Sequence, residues 1–128
     1  MQVRDGMSSV VLTVGPSHTL HEAARLMAER NVGAAIVMDP DSPGPGIVTE
    51  RDILRSVAAG ESPTAEVVAD HLTGDLISAA PDWSLEQAAE AMLDGGFRHL
   101  LVVNGAELEG ILSVRDIVRC WAKDRVTG

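Results

Sequence analysis

Aromatic residues are almost absent. The 128 residues contain no tyrosine, one phenylalanine (Phe97) and two tryptophans (Trp83 and Trp121). So few rings give no stacking platform for single-stranded nucleic acid. Positive charge is scarce as well. Ten Lys and Arg stand against 19 Asp and Glu, a formal net charge of −9. That field repels a phosphodiester backbone, so no nucleic-acid partner is expected. Cys120 is the single cysteine; no internal disulfide can form, and a reducing, cytoplasmic setting is expected. Apolar runs are short, as at 34–38 and 100–103, far below the roughly 20 residues of a membrane span. The opening Met1-Gln2-Val3-Arg4-Asp5-Gly6 has no apolar h-region of a secretory signal. What remains is a chain 45% hydrophobic, whose core must be built from Val, Leu, Ile, Ala and Met.

The chain repeats itself. Gly46-Ile47-Val48-Thr49-Glu50-Arg51-Asp52-Ile53 returns 64 residues later as Gly110-Ile111-Leu112-Ser113-Val114-Arg115-Asp116-Ile117. Upstream the offset is 65: Val3, Asp5, Pro16, Leu20, Ala23, Ala24, Met27 and Val37 match Val68, Asp70, Pro81, Leu85, Ala88, Ala89, Met92 and Val102. The change of offset falls in the loop 39–45, where length changes are tolerated. Two repeats are therefore expected, 1–61 and 62–128. Each is short for independent stability, so the halves should share one fold.

Each repeat has the same grammar. A short extended piece, 10–14 or 76–79, is closed by a proline. A helix follows, announced by the capping boxes Thr19-Leu20-His21-Glu22 and Ser84-Leu85-Glu86-Gln87. Leu20, Ala23, Ala24 and Met27, like Leu85, Ala88, Ala89 and Met92, fall at helical spacing. Asn31 and Gly95-Gly96 are the expected stops. Two strands come next: 34–38 with 46–49, and 99–103 with 108–113, the second pair joined through Asn104-Gly105, a strong hairpin signal. A last helix begins at the hydroxyl, with Ile53, Leu54 and Val57, or Ile117, Val118 and Trp121, as its apolar face. A further short helix is expected over 64–71. Met7, Met27, Met38 and Met92 read as core.

Thr49 and Asp52, like Ser113 and Asp116, stand three apart and share one face at a helix start. Two readings of the pair are open. Ser/Thr-x-x-Asp caps a helix. Equally, a carboxylate acceptor beside a hydroxyl suits the vicinal diol of a ribose, with a helix N-terminus nearby for phosphate. The two are compatible.

Both copies of this octapeptide, together with Val32-Gly33-Ala34-Ala35-Ile36-Val37 and Phe97-Arg98-His99-Leu100-Leu101-Val102-Val103, resemble the signature of CBS domains. The resemblance runs from about Val3 to Trp121. It implies an α/β (α+β) fold of two β-α-β-β-α CBS repeats packed with pseudo-twofold symmetry, a stand-alone tandem pair or Bateman module that dimerises further. It also implies adenosine ligands (AMP, ADP, ATP or S-adenosylmethionine) in clefts between the repeats. On that resemblance Asp52 and Asp116 would hold ribose hydroxyls, with Thr49 and Ser113 beside them. Thr13-Val14 and Ser78-Ala79 would border the base, and Arg98 and His99 would meet phosphate. Repeat one carries Gly33-Ala34 where repeat two carries Arg98-His99, so two equal sites are not expected.

Other residues point elsewhere less strongly. His18 and His21 lie near Glu22, but His18 precedes the cap and need not share a helical face with His21, so no metal site is expected. Arg51 and Arg115 read as first-turn charges or ligand contacts, and Arg55 and Arg119 as surface charges. No Gly-x-Ser-x-Gly, phosphate-loop or His-Glu-x-x-His motif is present, so no catalytic residue and no required cofactor are expected. The sequence therefore points to a non-enzymatic regulatory module with an adenosine ligand, a homodimeric state and a separate, unidentified effector protein. The alternative is a structural or interaction dimer module with empty clefts.

Overall fold

The computed structural model describes residues 1–73 and 77–127. The chain runs α1 (Val3–Gly6), β1 (Thr13–Val14), α2 (Leu20–Arg30), β2 (Ala34–Val37), β3 (Gly46–Thr49) and α3 (Glu50–Ala58). A 3-10 turn at Val68–His71 leads into β4 (Ser78–Ala79), α4 (Leu85–Gly95), β5 (His99–Asn104), β6 (Glu107–Ser113) and α5 (Val114–Thr127). Two three-stranded sheets result, β1-β2-β3 and β4-β5-β6. In each, the first strand pairs parallel to the second and the second antiparallel to the third. The α/β fold of duplicated β-α-β-β-α units is as the sequence implies.

The helix signals in the sequence are realised as hydrogen bonds. Thr19 and Ser84 accept from the amides of Glu22 and Gln87, whose side chains reach back to the cap amides. The Glu22 carboxyl is held below its ordinary value by the Thr19 amide and then by the Thr19 hydroxyl. Its stabilising contribution is complete above the ordinary glutamate value and is lost as pH falls toward the depressed one. Asn31 ends α2 in the left-handed conformation at φ 54°, and Gly96 ends α4 at φ 72°.

Several boundaries differ from expectation, each for a local reason. The 64–71 segment forms only a 3-10 turn over its last four residues. The first extended piece narrows to Thr13–Val14, and the expected strand over 76–79 to Ser78–Ala79; Leu76 lies outside the described residues. In the β5–β6 hairpin, Asn104 pairs with Glu107. The two central residues are therefore Gly105 and Ala106, one position beyond Asn-Gly, and Gly105 supplies the positive φ of 62°. Met38 is exposed rather than core. The last-helix face is split: Ile53 and Ile117 pack into cores, while Leu54, Val57, Val118 and Trp121 face outward.

The compact units are cut differently from the sequence repeats. One comprises Met1–Val10 with Ile77–Gly128, the other Val11–Leu76. Each repeat's opening segment has joined the other repeat's sheet. Val3 lies in a core with Leu85, Ala88, Met92, Leu100 and Leu112. Val68, its counterpart, lies in a core with Leu20, Ala23, Met27, Ala35 and Val48. The backbone repeats the pattern. The Ser8 amide donates to the Ile111 carbonyl at 2.9 Å, and the Thr73 amide to the Ile47 carbonyl at 2.9 Å.

The duplicated glycine makes these crossings possible. A Cβ on Gly110 would run into the Ser8 carbonyl, whereas one on Gly46 would meet only the flexible Leu72 side chain at 3.1 Å. Gly110→Ala should therefore destabilise the protein by about 1–3 kcal/mol through overpacking. Gly44→Ala, with open space around it, should stay within about 0.5 kcal/mol. Urea unfolding of both variants measures the contrast.

Candidate ligand site

Strand and helix meet without a loop at both copies of the octapeptide. β3 ends at Thr49 and α3 begins at Glu50; β6 ends at Ser113 and α5 begins at Val114. Each hydroxyl residue is thus the last of a strand and the cap of a helix, which fixes its carboxylate partner at the same sheet end.

In the first copy the Thr49 amide donates to Asp52 Oδ2 at 2.8 Å and the Thr49 hydroxyl to the same oxygen at 3.0 Å. The Asp52 amide donates back to Thr49 Oγ1 at 3.3 Å. In the second, the Ser113 amide donates to Asp116 Oδ2 at 2.8 Å, and the Asp116 amide to Ser113 Oγ at 3.1 Å. The capping reading of the pair is therefore realised twice. It uses Oδ2 in both copies, so Oδ1 is the oxygen left outside the cap.

The two copies differ in what else reaches the carboxylate. Thr73 donates its hydroxyl to Asp52 Oδ2 at 2.6 Å. Ser8, which lies at the same repeat position, instead donates to the Val10 carbonyl at 3.0 Å. Asp116 Oδ1 accepts from Arg119 Nη1 at 3.2 Å, and that arginine is 55% exposed. Thr73 was not singled out by motif reading, and Arg119, expected as a surface charge, is exposed but also pairs with the motif carboxylate. The hydroxyl pair at Ser8 and Thr73 was visible at the 65-residue offset, but only the fold shows that one of them reaches the acid.

The sheet register sorts the remaining candidates. His99 is paired directly with Ser113 across β5 and β6, where the other sheet pairs Ala34 with Thr49. His99, Ser113 and Asp116 therefore gather at one sheet end. Arg98 is exposed, and its carbonyl accepts from the Val114 amide at 2.9 Å, which places its backbone at the start of α5. Ala34 brings no polar side chain to the corresponding place. Thr13-Val14 and Ser78-Ala79 lie further along, paired with Ile36-Val37 and Leu101-Val102. Within its own unit, neither dipeptide is opposite the hydroxyl–carboxylate pair. Val14 and Ala79 are buried in the two cores, so neither presents a side chain to a ligand, while Thr13 and Ser78 are exposed.

His18, His21 and Glu22 are engaged separately. His18 Nδ1 accepts from the Gly15 amide at 2.9 Å, Glu22 is held by Thr19, and His21 is exposed on α2. Among the described residues no helix is long and apolar enough to cross a membrane.

The CBS domain family model matches residues 2–59 and 68–123. The chain belongs to the CBS domain family. It is 38% identical over 119 residues to the CBS domain-containing protein YhcV of Bacillus subtilis, covering 90% of this chain and 81% of that one. Relatives can be longer: the chain spans 66% of one from Acidianus ambivalens. A hexameric CBS-CP12 protein from bloom-forming cyanobacteria superposes with a TM-score of 0.84 at 32% identity, over 92% of this chain and 69% of that one. A CBS domain protein from Pyrobaculum aerophilum, solved in complex with AMP, gives 0.80 at 29% identity over 96% and 99%. The tandem CBS pair thus accounts for nearly all of this chain.

The caps predict unequal costs. Asp116→Ala should lower unfolding stability by about 1 kcal/mol, the usual worth of one hydrogen bond, here the capping-box bond from the Ser113 amide to the acid. Asp52→Ala should cost about 1 kcal/mol more, because the Thr73 hydroxyl loses its acceptor. Chemical denaturation of the two single variants measures the difference.

Proposed function

We propose that this chain is a regulatory, non-catalytic ligand sensor that binds an adenosine derivative and modulates a separate effector protein in the cytoplasm. The candidate ligands are AMP, ADP, ATP and S-adenosylmethionine. One observation carries the reading: the strand-to-helix junction is made twice, and each time it holds a carboxylate whose Oδ2 serves the cap while Oδ1 lies outside it. Such an oxygen can accept from a ribose hydroxyl without unfolding the helix start. The AMP complex of the Pyrobaculum relative supports the ligand class.

The two junctions are not equivalent on this reading. Ser113 and Asp116 have His99 paired opposite and Arg98 next to it, two groups able to meet phosphate. Thr49 and Asp52 face Ala34, which brings no polar side chain; Asp116 Oδ1 carries the exposed Arg119, a further cation beside that junction, whereas Thr73 adds only a neutral hydroxyl on Asp52 Oδ2. The second junction is therefore the stronger candidate for a phosphate-bearing ligand, and the first for a weaker or uncharged one.

A second reading, a structural or interaction module with no nucleotide, draws on the fact that both motifs do cap helices. Calorimetric titration of AMP, ADP, ATP and S-adenosylmethionine separates the two. The sensor reading expects binding that Asp116→Ala weakens at least tenfold and Asp52→Ala weakens less. Absence of binding by the wild type, or binding untouched in the double variant, supports the structural module.

Self-association is part of the proposal. The outward residues Leu54 and Val57 on α3 are matched at the 64-residue offset by Val118 and Trp121 on α5. A patch made twice in one chain suits isologous pairing with a second copy, and the hexameric cyanobacterial relative supports assembly of such modules. Leu54→Glu with Val118→Glu should convert a homodimer to a monomer by light scattering. A wild-type monomer would remove this part of the reading.

A further inference from the structure

The segment joining the two repeats gathers three ligand-bearing side chains that the sequence motifs do not connect. Glu61, Glu66 and His71 each present one donor atom, and the three atoms lie within 4.8 Å of one another. His71 Nε2 is 2.8 Å from Glu66 Oε1. We propose that these residues form a binding site for a divalent first-row transition cation.

The backbone and a buried hydroxyl hold the three in place. Ser56 is 2% exposed, and its hydroxyl donates to Glu61 Oε1 at 3.0 Å. The Glu61 amide donates to the Ser56 carbonyl at 3.1 Å, so Glu61 is tied at both main chain and side chain to the end of α3. The Glu66 amide donates to the Ser62 carbonyl at 2.9 Å, and the Glu66 carbonyl accepts from Leu20 at 3.0 Å. His71 closes the 3-10 turn. Its side chain is 15% exposed and that of Glu66 29%. Glu61 lies on the solvent side, leaving a route for an ion.

Chemistry favours a cation at this spot. Two carboxylates drawn together repel one another, and the whole chain already carries −9. His71 adds a nitrogen donor atom to the pair, and a dication held by all three offsets the repulsion. Zinc takes carboxylate oxygen and imidazole nitrogen at about 2.0–2.2 Å, so tetrahedral ligand atoms sit roughly 3.5 Å apart. The three donor atoms, all within 4.8 Å of one another, already lie near that spacing. Imidazole in the set selects Zn²⁺ and its neighbours over Mg²⁺ and Ca²⁺, and three protein ligands leave a position for water. The bound ion would clip α3, the 62–66 turn and the 3-10 turn together, two residues before Thr73. This assignment stands apart from the adenosine reading.

The test uses the full chain, stripped of metal by a chelator. Zn²⁺ is titrated calorimetrically, and Co²⁺ by its visible absorption, into wild type, Glu61→Gln and His71→Gln. Glu61→Gln retains an oxygen acceptor for Ser56, and circular dichroism checks that each variant is folded. One equivalent per chain is expected, with at least tenfold weaker binding in both variants, loss of the Co²⁺ spectrum and a zinc-dependent rise in Tm confined to wild type. No binding by wild type overturns the proposal. So does binding unchanged in Glu61→Gln, which would place the metal at other donors such as His18 and His21 or Cys120.

Discussion

A short side-chain oxygen that accepts from the amide three residues ahead, while the residue there reaches back, sets the start of each long helix among the described residues. Thr19 with Glu22, Thr49 with Asp52, Ser84 with Gln87 and Ser113 with Asp116 are the four instances. Two of them follow a proline-closed turn and begin the helices packed under the sheets. The other two sit at a strand end with no loop between. In the second pair one interaction must end a strand, begin a helix and hold a carboxylate at the sheet end. Candidate function and fold therefore rest on the same few atoms, and a change there is felt by both.

This sharing explains which parts of the protein were legible in the sequence. Capping boxes, the Asn31 stop and the apolar periodicity of Leu20, Ala23 and Met27 are local, and they appear where local chemistry puts them. The long-range facts are different. Leu54 and Ile53 are both apolar and adjacent, yet one faces out and one packs inward; nothing in their identity distinguishes them. Met38 follows four buried residues but is itself exposed. The Thr73 bond to Asp52 spans 21 positions, beyond the reach of any spacing rule. Glu61, Glu66 and His71 escaped notice because their gaps of five follow no helical or strand period.

Duplication constrains the two halves without making them identical. The glycine before each octapeptide admits a crossing segment in both, but Gly110 meets backbone and Gly46 meets a movable leucine. The crossing hydroxyls have also taken different partners, a carboxylate for Thr73 and a carbonyl for Ser8. An equivalent framework thus carries two differently tuned carboxylates. Divergence is cheapest at such positions, where a side chain may choose between acceptors while the main-chain bond beneath it stays the same.

The exchange of opening segments bears on the order of synthesis. Residues 1–10 are made before the 11–76 unit, yet Val3 and Ser8 find their partners around Leu85, Leu112 and Ile111. The unit formed by Val11–Leu76 is contiguous and can close as soon as its own last residues are made. The other must wait until most of the 52 residues after Leu76 have been translated as well, because the partners of its leading segment lie about a hundred positions further along the chain. Contacts of such long separation are slow to form. Nascent chains would thus carry a finished inner unit flanked by an unpaired leading end, and the outer unit would be assembled last, from both ends of the chain at once.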